Sequence, residues 1–394
     1  MASEEITRTK IIMLGGRRSG KSTILATLIH ALNNESAHLC AFNDNTPYGA
    51  SSGMQVPLVD KRREIENYMR NRTKFGNNSQ FIVDMSPNVG EGDYNIVASV
   101  KGASRIGFDF VDVPGEWMQE NHEKHPTLQK HVEESDVFVI AIDTPYLMHE
   151  DNPNVNSVWN RIDEITNLMS HMKIENSANR KLVLFVPVKC EKWVNEGKID
   201  QVTERVKQAY RTMINTWVDN DGVEMWVMPI VTAGGIEHVR LLDAYRFYRT
   251  EKDKVGEICS QDPLTGILML KDGKTLFDSM VDSIEPDPDK SYCISYTQIP
   301  LSWYKTSGEG KFKPYLCEQV AYHILRFLVK KEEDLSSMKY KAYKNDPWWI
   351  RIFNRAGRRF GQYLPVYKEL INKIPIKLGG DGFAKIDSHV QETD

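Results

Sequence analysis

The chain has 394 residues, with 50 Lys and Arg against 54 Asp and Glu and a net charge of -4. That balance disfavours a wholesale nucleic-acid binder, which is basic overall, and no apolar run approaches the ~20 residues that cross a bilayer. The N-terminus carries no signal-peptide core, and the five cysteines, odd in number and at no metal-ligand spacing, point to a reducing, cytoplasmic compartment.

Residues 10–14 (KIIML) form a short apolar run of the kind buried in a parallel strand. They lead into Gly15-Gly16-Arg17-Arg18-Ser19-Gly20-Lys21-Ser22-Thr23, a G-x-x-x-x-G-K-[ST] phosphate-binding loop, and 23–32 has the spacing of an amphipathic helix. The residue types suit an anion. Glycines let backbone N–H groups turn inward, and the helix start adds its positive end. Lys21 reaches the β- and γ-phosphates, and Ser22 offers a hydroxyl to Mg²⁺. Beyond that helix, 43–53 reads as a loop, 60–72 as a charged helix, and 94–101 with 105–112 as a hairpin. The hairpin ends in Asp112-Val113-Pro114-Gly115, a D-x-x-G element. There Asp112 would hold Mg²⁺ through a water and the Gly115 N–H would face the γ-phosphate. Glu116 follows, placed to orient an attacking water or accept its proton. Its plain alternative is a first-turn glutamate favoured by the helix dipole.

Residues 137–142 read as a strand ending at Asp143, which is taken as structural. The 155–172 segment reads as one core helix through Val155, Val158, Trp159, Ile162, Ile165, Met169 and Met172. A strand at 182–188 ends in Lys189-Cys190-Glu191. The Glu191 carboxylate could accept from N1–H and N2–H₂ of guanine while the Lys189 stem covers the ring; the alternative is a solvated charged loop. A last strand, 224–231, ends in Thr232-Ala233-Gly234-Gly235, whose backbone would close over the base. Strands alternating with helices predict a three-layer α/β/α fold of the P-loop NTPase type with a mostly parallel sheet.

In order, the phosphate loop (15–22), D-x-x-G (112–115), K-x-E (189–191) and T-A-G (232–234) resemble the G motifs of a translation-factor/Ras-like GTPase domain, over about residues 8–240. The D-V-P-G-E variant with a long first insertion resembles the bacterial double-GTPase families linked to conflict and antiviral defence. The resemblance implies GTP/GDP and Mg²⁺ as ligands. Residues 15–23, Gly115, Lys189, Glu191, Thr232 and Ala233 would then contact nucleotide, Ser22 and Asp112 the metal, and Lys21 and Glu116 would act in catalysis. The motifs depart from the family pattern where Val188 and Glu191 replace Asn and Asp. A large insertion, about 35–92, occupies the switch region, and both Thr73 and Ser79 fit the switch threonine.

Residues 236–290 are a second, charged insertion with no chemistry to name; 291–299 alternates like a strand, and 317–330 reads as the terminal helix of an 8–335 domain. The 336–394 segment reads as a basic extension, with ten basic and two acidic residues between Met338 and Lys377. Within 348–360, Trp349, Ile352, Phe353, Ala356 and Phe360 fall on one helical face and four arginines largely on the others. Such a helix packs on the domain, or docks on an acidic partner or an anionic membrane surface; nucleic acid is the least supported partner. Three functions fit: a slow GTPase switch signalling to a protein partner or by self-association, an ATPase on the same scaffold, and a non-hydrolysing nucleotide-bound scaffold.

Overall fold

The computed structural model of the chain describes residues 7–17, 19–34, 40–46, 60, 62–67, 80–82, 92–100, 105–150, 154–174, 180–242, 245–249, 258–261, 268–270, 293–297, 301–307, 311–348, 351 and 355–392. The strands are β1 (Thr7–Leu14), β2 (Cys40–Asp44), β3 (Gln80–Ile82), β4 (Gly92–Val100), β5 (Arg105–Asp112), β6 (Val137–Asp143), β7 (Lys181–Val188) and β8 (Val223–Val227), followed by β9 (Ile236–Leu242), β10 (Tyr245–Arg249), β11 (Ile258–Gln261), β12 (Leu268–Leu270), β13 (Cys293–Thr297), β14 (Leu301–Thr306) and β15 (Ala384–Ile386). The helices used below are α1 (Lys21–Asn34), α2 (His125–Glu134), α3 (Thr144–Leu147), α4 (Asn154–Asn160), α5 (Ile162–Ser170), α6 (Glu191–Asn195), α7 (Ile199–Ala209), α8 (Arg211–Trp217), α9 (Cys317–Asn345) and α10 (Arg355–Lys373).

Eight strands form the central sheet in the order β15-β8-β7-β6-β1-β5-β4-β2. The inner five run parallel, while β4, β2 and β15 join antiparallel. β6 and β7 are buried along their whole length, because helices cover both faces and every residue of VFVIAID and KLVLFVPV must pack. Alternate residues divide between two cores. Ile11, Met13, Val139 and Leu184 meet α1, α9 and α10 on one face. Ile12, Leu14, Ile140 and Phe185 meet α2, α5, α7 and α8 on the other. This is the expected three-layer α/β/α fold. β1 has β5 on one side and β6 on the other, so the chain reverses its direction of travel across the sheet there. The loop after β1 opens at that switch point, where ligands of open α/β sheets bind.

Several elements differ from the sequence reading. The 155–172 helix is two helices, because Arg161 adopts left-handed φ 57° between α4 and α5. The break shifts the phase, and Val158, expected in the core, is 49% exposed. β8 ends at Val227 rather than 231, although Met228 and Ile230 still donate to β7 carbonyls. Insertion 236–290 contributes β9, and β9 pairs with β14, which pairs in turn with β3 of the switch-region insertion.

The terminal helix does not stop at 330. α9 runs 29 residues through the expected boundary at 335/336. α10 returns along it, so close that an added Cβ at Gly361 would meet the Tyr340 ring at 2.5 Å. Tyr367 and Leu370 of α10, with Ile374 just beyond it, complete the α1/α9 core, and β15 extends the sheet edge. α9 ends at Asn345 before Asp346-Pro347, Trp348 and Arg351 are helical with the Arg351 N–H donating to Pro347 O at 3.1 Å, and α10 covers Arg355–Lys373. Trp349, Ile352 and Phe353 lie outside the described residues. Phe360 lies under the Lys339 ammonium, 4.9 Å from the ring centre. No helix among the described residues is long and apolar enough to cross a membrane.

Candidate functional site

The site grows from the carboxyl end of β1. Leu14 is the last buried strand residue, and the chain then bends at Gly15, whose φ of 144° a side chain would strain. α1 begins at Lys21, so the loop amides and the helix start converge on one concavity. Lys21 is 8% exposed and donates to Gly15 O at 2.8 Å and Gly16 O at 3.0 Å. Burial lowers its pKa, opposed by the nearby carboxylates Asp112 and Glu116. The Ser19 hydroxyl is buried and has no protein partner. Arg18 lies outside the described residues.

The D-x-x-G element closes the same concavity. β5 pairs with β1 in parallel, Met13 opposite Asp112, which carries the strand end to the loop. Ser22 Oγ donates to Asp112 Oδ2 at 2.7 Å, joining residues 90 positions apart. Asp112 is 2% exposed. A hydroxyl beside a carboxylate is a hard-oxygen donor set, which fits Mg²⁺. Gly115 sits against the phosphate loop: a Cβ there would lie 2.6 Å from Arg17 N and 2.8 Å from Gly16 C. Glu116 lies in a single 3₁₀ turn, Gly115–Met118, and pairs with Arg17 at 3.3 Å, both side chains well exposed. The sequence reading named both residues but not their pairing. Thr73 and Ser79 lie outside the described residues.

The opposite end gathers the remaining expected residues, with Glu191 bonded to the protein's own backbone. Lys189, with left-handed φ 60°, pairs with Asp143 at the end of β6. Asp143 is 1% exposed; burial pushes its carboxyl up, and Lys189 works against that. Burial is the largest influence on Lys189 and opposes its charge, but Asp143 together with Tyr146 and Glu191 holds the ammonium above its ordinary pKa. Asp143 Oδ1 is buried without a partner. The backbone at Asp143 is fixed by Asn160, which accepts from its N–H at 2.7 Å and donates to its carbonyl at 3.2 Å. Asp143 was read as structural; no residue pattern marks it as the partner of Lys189, but its place at a strand end beside the K-x-E strand was a usable signal.

Glu191 is 5% exposed, in the first turn of α6. Its Oε1 accepts from Ala233 N–H at 3.0 Å and Gly234 N–H at 3.2 Å. Burial raises its pKa, and the backbone bonds, led by Ala233, pull it back. The structure therefore brings Glu191, Thr232 and Ala233 together, with the carboxylate on the backbone of the loop. Cys190 is buried with its thiol 3.3 Å from Thr144 Oγ1, and burial drives its pKa far up, so it is inert packing.

No family model matches the sequence, and no curated protein does. Among solved structures the chain is similar to the GTPase-like domain of S. cerevisiae Ski7 bound to GDP and inorganic phosphate, at 16% identity and a TM-score of 0.32. The same domain bound to GTP matches at 15% identity and a TM-score of 0.29. In both cases the match covers 58% of this chain and 44% of the other, so it spans less than half the length of those structures.

Proposed function

We propose that the chain binds GTP with Mg²⁺ and hydrolyses it slowly to GDP, as a conformational switch that signals to a protein partner. The observation that carries this reading is the Ser22–Asp112 bond, which joins the two specific motifs across the switch-region insertion. Lys21 would exchange its Gly15 and Gly16 carbonyls for, or share them with, the β- and γ-phosphates. Mg²⁺, held between Ser22 and Asp112, would supply charge neutralisation for the phosphates. The Gly115 N–H, packed on the loop, would sense the γ-phosphate. Glu116 would orient the water once its pairing with Arg17 gives way. The motif order supports the Ras-like class, and the D-V-P-G-E variant supports the narrower double-GTPase placement with its defence setting.

Calorimetry with magnesium-loaded GTP tests the reading: binding is expected in the wild type and its loss in Lys21→Ala, and absence of heat in a folded wild-type preparation overturns it. Glu116→Gln should leave the affinity intact and change the single-turnover rate; an unchanged rate removes Glu116 from the mechanism. An ATPase reading draws on one observation, that Glu191 is bonded to loop amides rather than open to a base. Equilibrium competition of ATP against GTP separates the two.

A further inference from the structure

The acceptor for the Ala233 and Gly234 amides is the protein's own Glu191 carboxylate, at 3.0 and 3.2 Å. These amides are fixed from behind. Lys313 N–H donates to Ala233 O at 2.8 Å, Ser307 N–H donates to Gly235 O at 3.0 Å, and Val231 and Tyr315 exchange bonds at 3.1 and 2.9 Å. Gly234 sits at φ 73° with the Lys313 carbonyl pressed against it. The loop is therefore clamped between Ser307, Lys313 and Tyr315 on one side and the site on the other, and its donors keep facing the site. A buried backbone N–H needs an acceptor, so whatever displaces Glu191 must bring one. The Lys189 ammonium is engaged with Asp143, and Val188 offers no polar group to hold the carboxylate elsewhere.

We propose that Glu191 is an internal displacer of the bound nucleotide: its carboxylate and the C6 oxygen of a 6-oxopurine compete for the same pair of amides. The proposal rests on the nucleotide-binding reading above. The exchange conserves hydrogen bonds for a 6-oxopurine. The ring oxygen takes the amides, and the freed carboxylate, now beside the ring edge, accepts from N1–H and N2–H₂. A 6-aminopurine presents a donor to the two donors and leaves them unsatisfied. The competing carboxylate is tethered to the loop's neighbour, so its effective concentration is high and constant. Bound nucleotide then leaves by carboxylate return, without a separate exchange factor. Reach decides the behaviour. Glutamate spans from the first turn of α6 to the amides; aspartate, shorter by about 1.5 Å, stays as a partner for the ring edge but falls short of the amides.

Stopped-flow release of N-methylanthraniloyl-GDP from the full chain tests this, with the corresponding ADP derivative alongside. Glu191→Asp is expected to release the guanine nucleotide at least tenfold more slowly and bind it more tightly, while the preference over adenine persists. Faster or unchanged release by that variant overturns the displacer. A check needing no variant is the association rate of the wild type, expected to level off with rising nucleotide as departure of Glu191 becomes limiting. A strictly linear dependence up to saturation overturns the proposal. If neither fluorescent nucleotide binds the wild type, the nucleotide-binding reading itself falls, an outcome distinct from both.

Discussion

At the scale of single residues, the loop after β1 was readable from its motif and the Lys189–Glu191 end only by position. A G-x-x-x-x-G-K-[ST] run after an apolar strand leaves few alternatives, since Lys21, Ser22 and the glycines each have one job there. Glu191 was legible as a carboxylate at a strand end, but whether it faces a ring or a loop depends on one methylene and on the bonds from Ser307, Lys313 and Tyr315, which no local pattern announces. The atoms nearest an added Cβ at Gly115 are all backbone of Gly15, Gly16 and Arg17, so no flexible side chain there can yield to a methyl group. Gly115→Ala is expected to weaken magnesium-loaded GTP binding more than about tenfold, ~1.4 kcal/mol, with calorimetry as the measure and thermal melting as the control for folding. Asp143 and Lys189 form a mostly buried pair, and breaking one side of such a pair costs about 3 kcal/mol. Asp143→Leu should cost that much in urea unfolding, and the double variant Asp143→Leu/Lys189→Met should recover most of it. Additive losses would mean that the pair is not coupled.

At the scale of elements, the fully apolar strands β6 and β7 were legible because burial on both faces leaves an uninterrupted run. The α4/α5 break was not, because one left-handed residue, Arg161, changes the phase of a stripe that otherwise looks continuous. α9 carries a titrating group that reports on its packing. His323 is 3% exposed, lies edge-on to Trp226 with ring centres 4.5 Å apart, and bonds Lys377 O at 3.1 Å. Burial lowers its pKa from the ordinary 6.5 to about 4, with the Lys377 carbonyl opposing. Between those values the unfolded chain binds a proton that the folded chain does not. Stability should therefore fall as pH drops from 6.5 towards 4, by up to about 3 kcal/mol from this group. In His323→Gln this share of the slope should vanish. An identical slope of urea-unfolding free energy against pH in variant and wild type would assign the dependence to other groups.

At the scale of the whole molecule, the basic C-terminal composition suggests an appendage, yet α10 and β15 are built into the α/β/α body. Composition misleads here because the charges lie on exposed helix positions such as Lys341, Arg358 and Arg359, while a few buried residues decide where the helix sits. Tyr367 is fully buried, and Tyr367→Ala should cost ~3–5 kcal/mol, read by chemical denaturation. A change below 1 kcal/mol would return the segment to the status of an attachment. The 29 residues of α9 make a rod roughly 43 Å long. One end rests beside the loop after β8, where Cys317 Sγ lies 3.4 Å from Val231 O, and the other carries Met338, Tyr343 and the approach to Trp348. A lever of that span turns a tilt of about 5° at its pivot into a sweep of roughly 4 Å at its tip. A displacement at the Val231–Tyr315 bridge that tilted α9 would therefore be larger at Met338 than at its source.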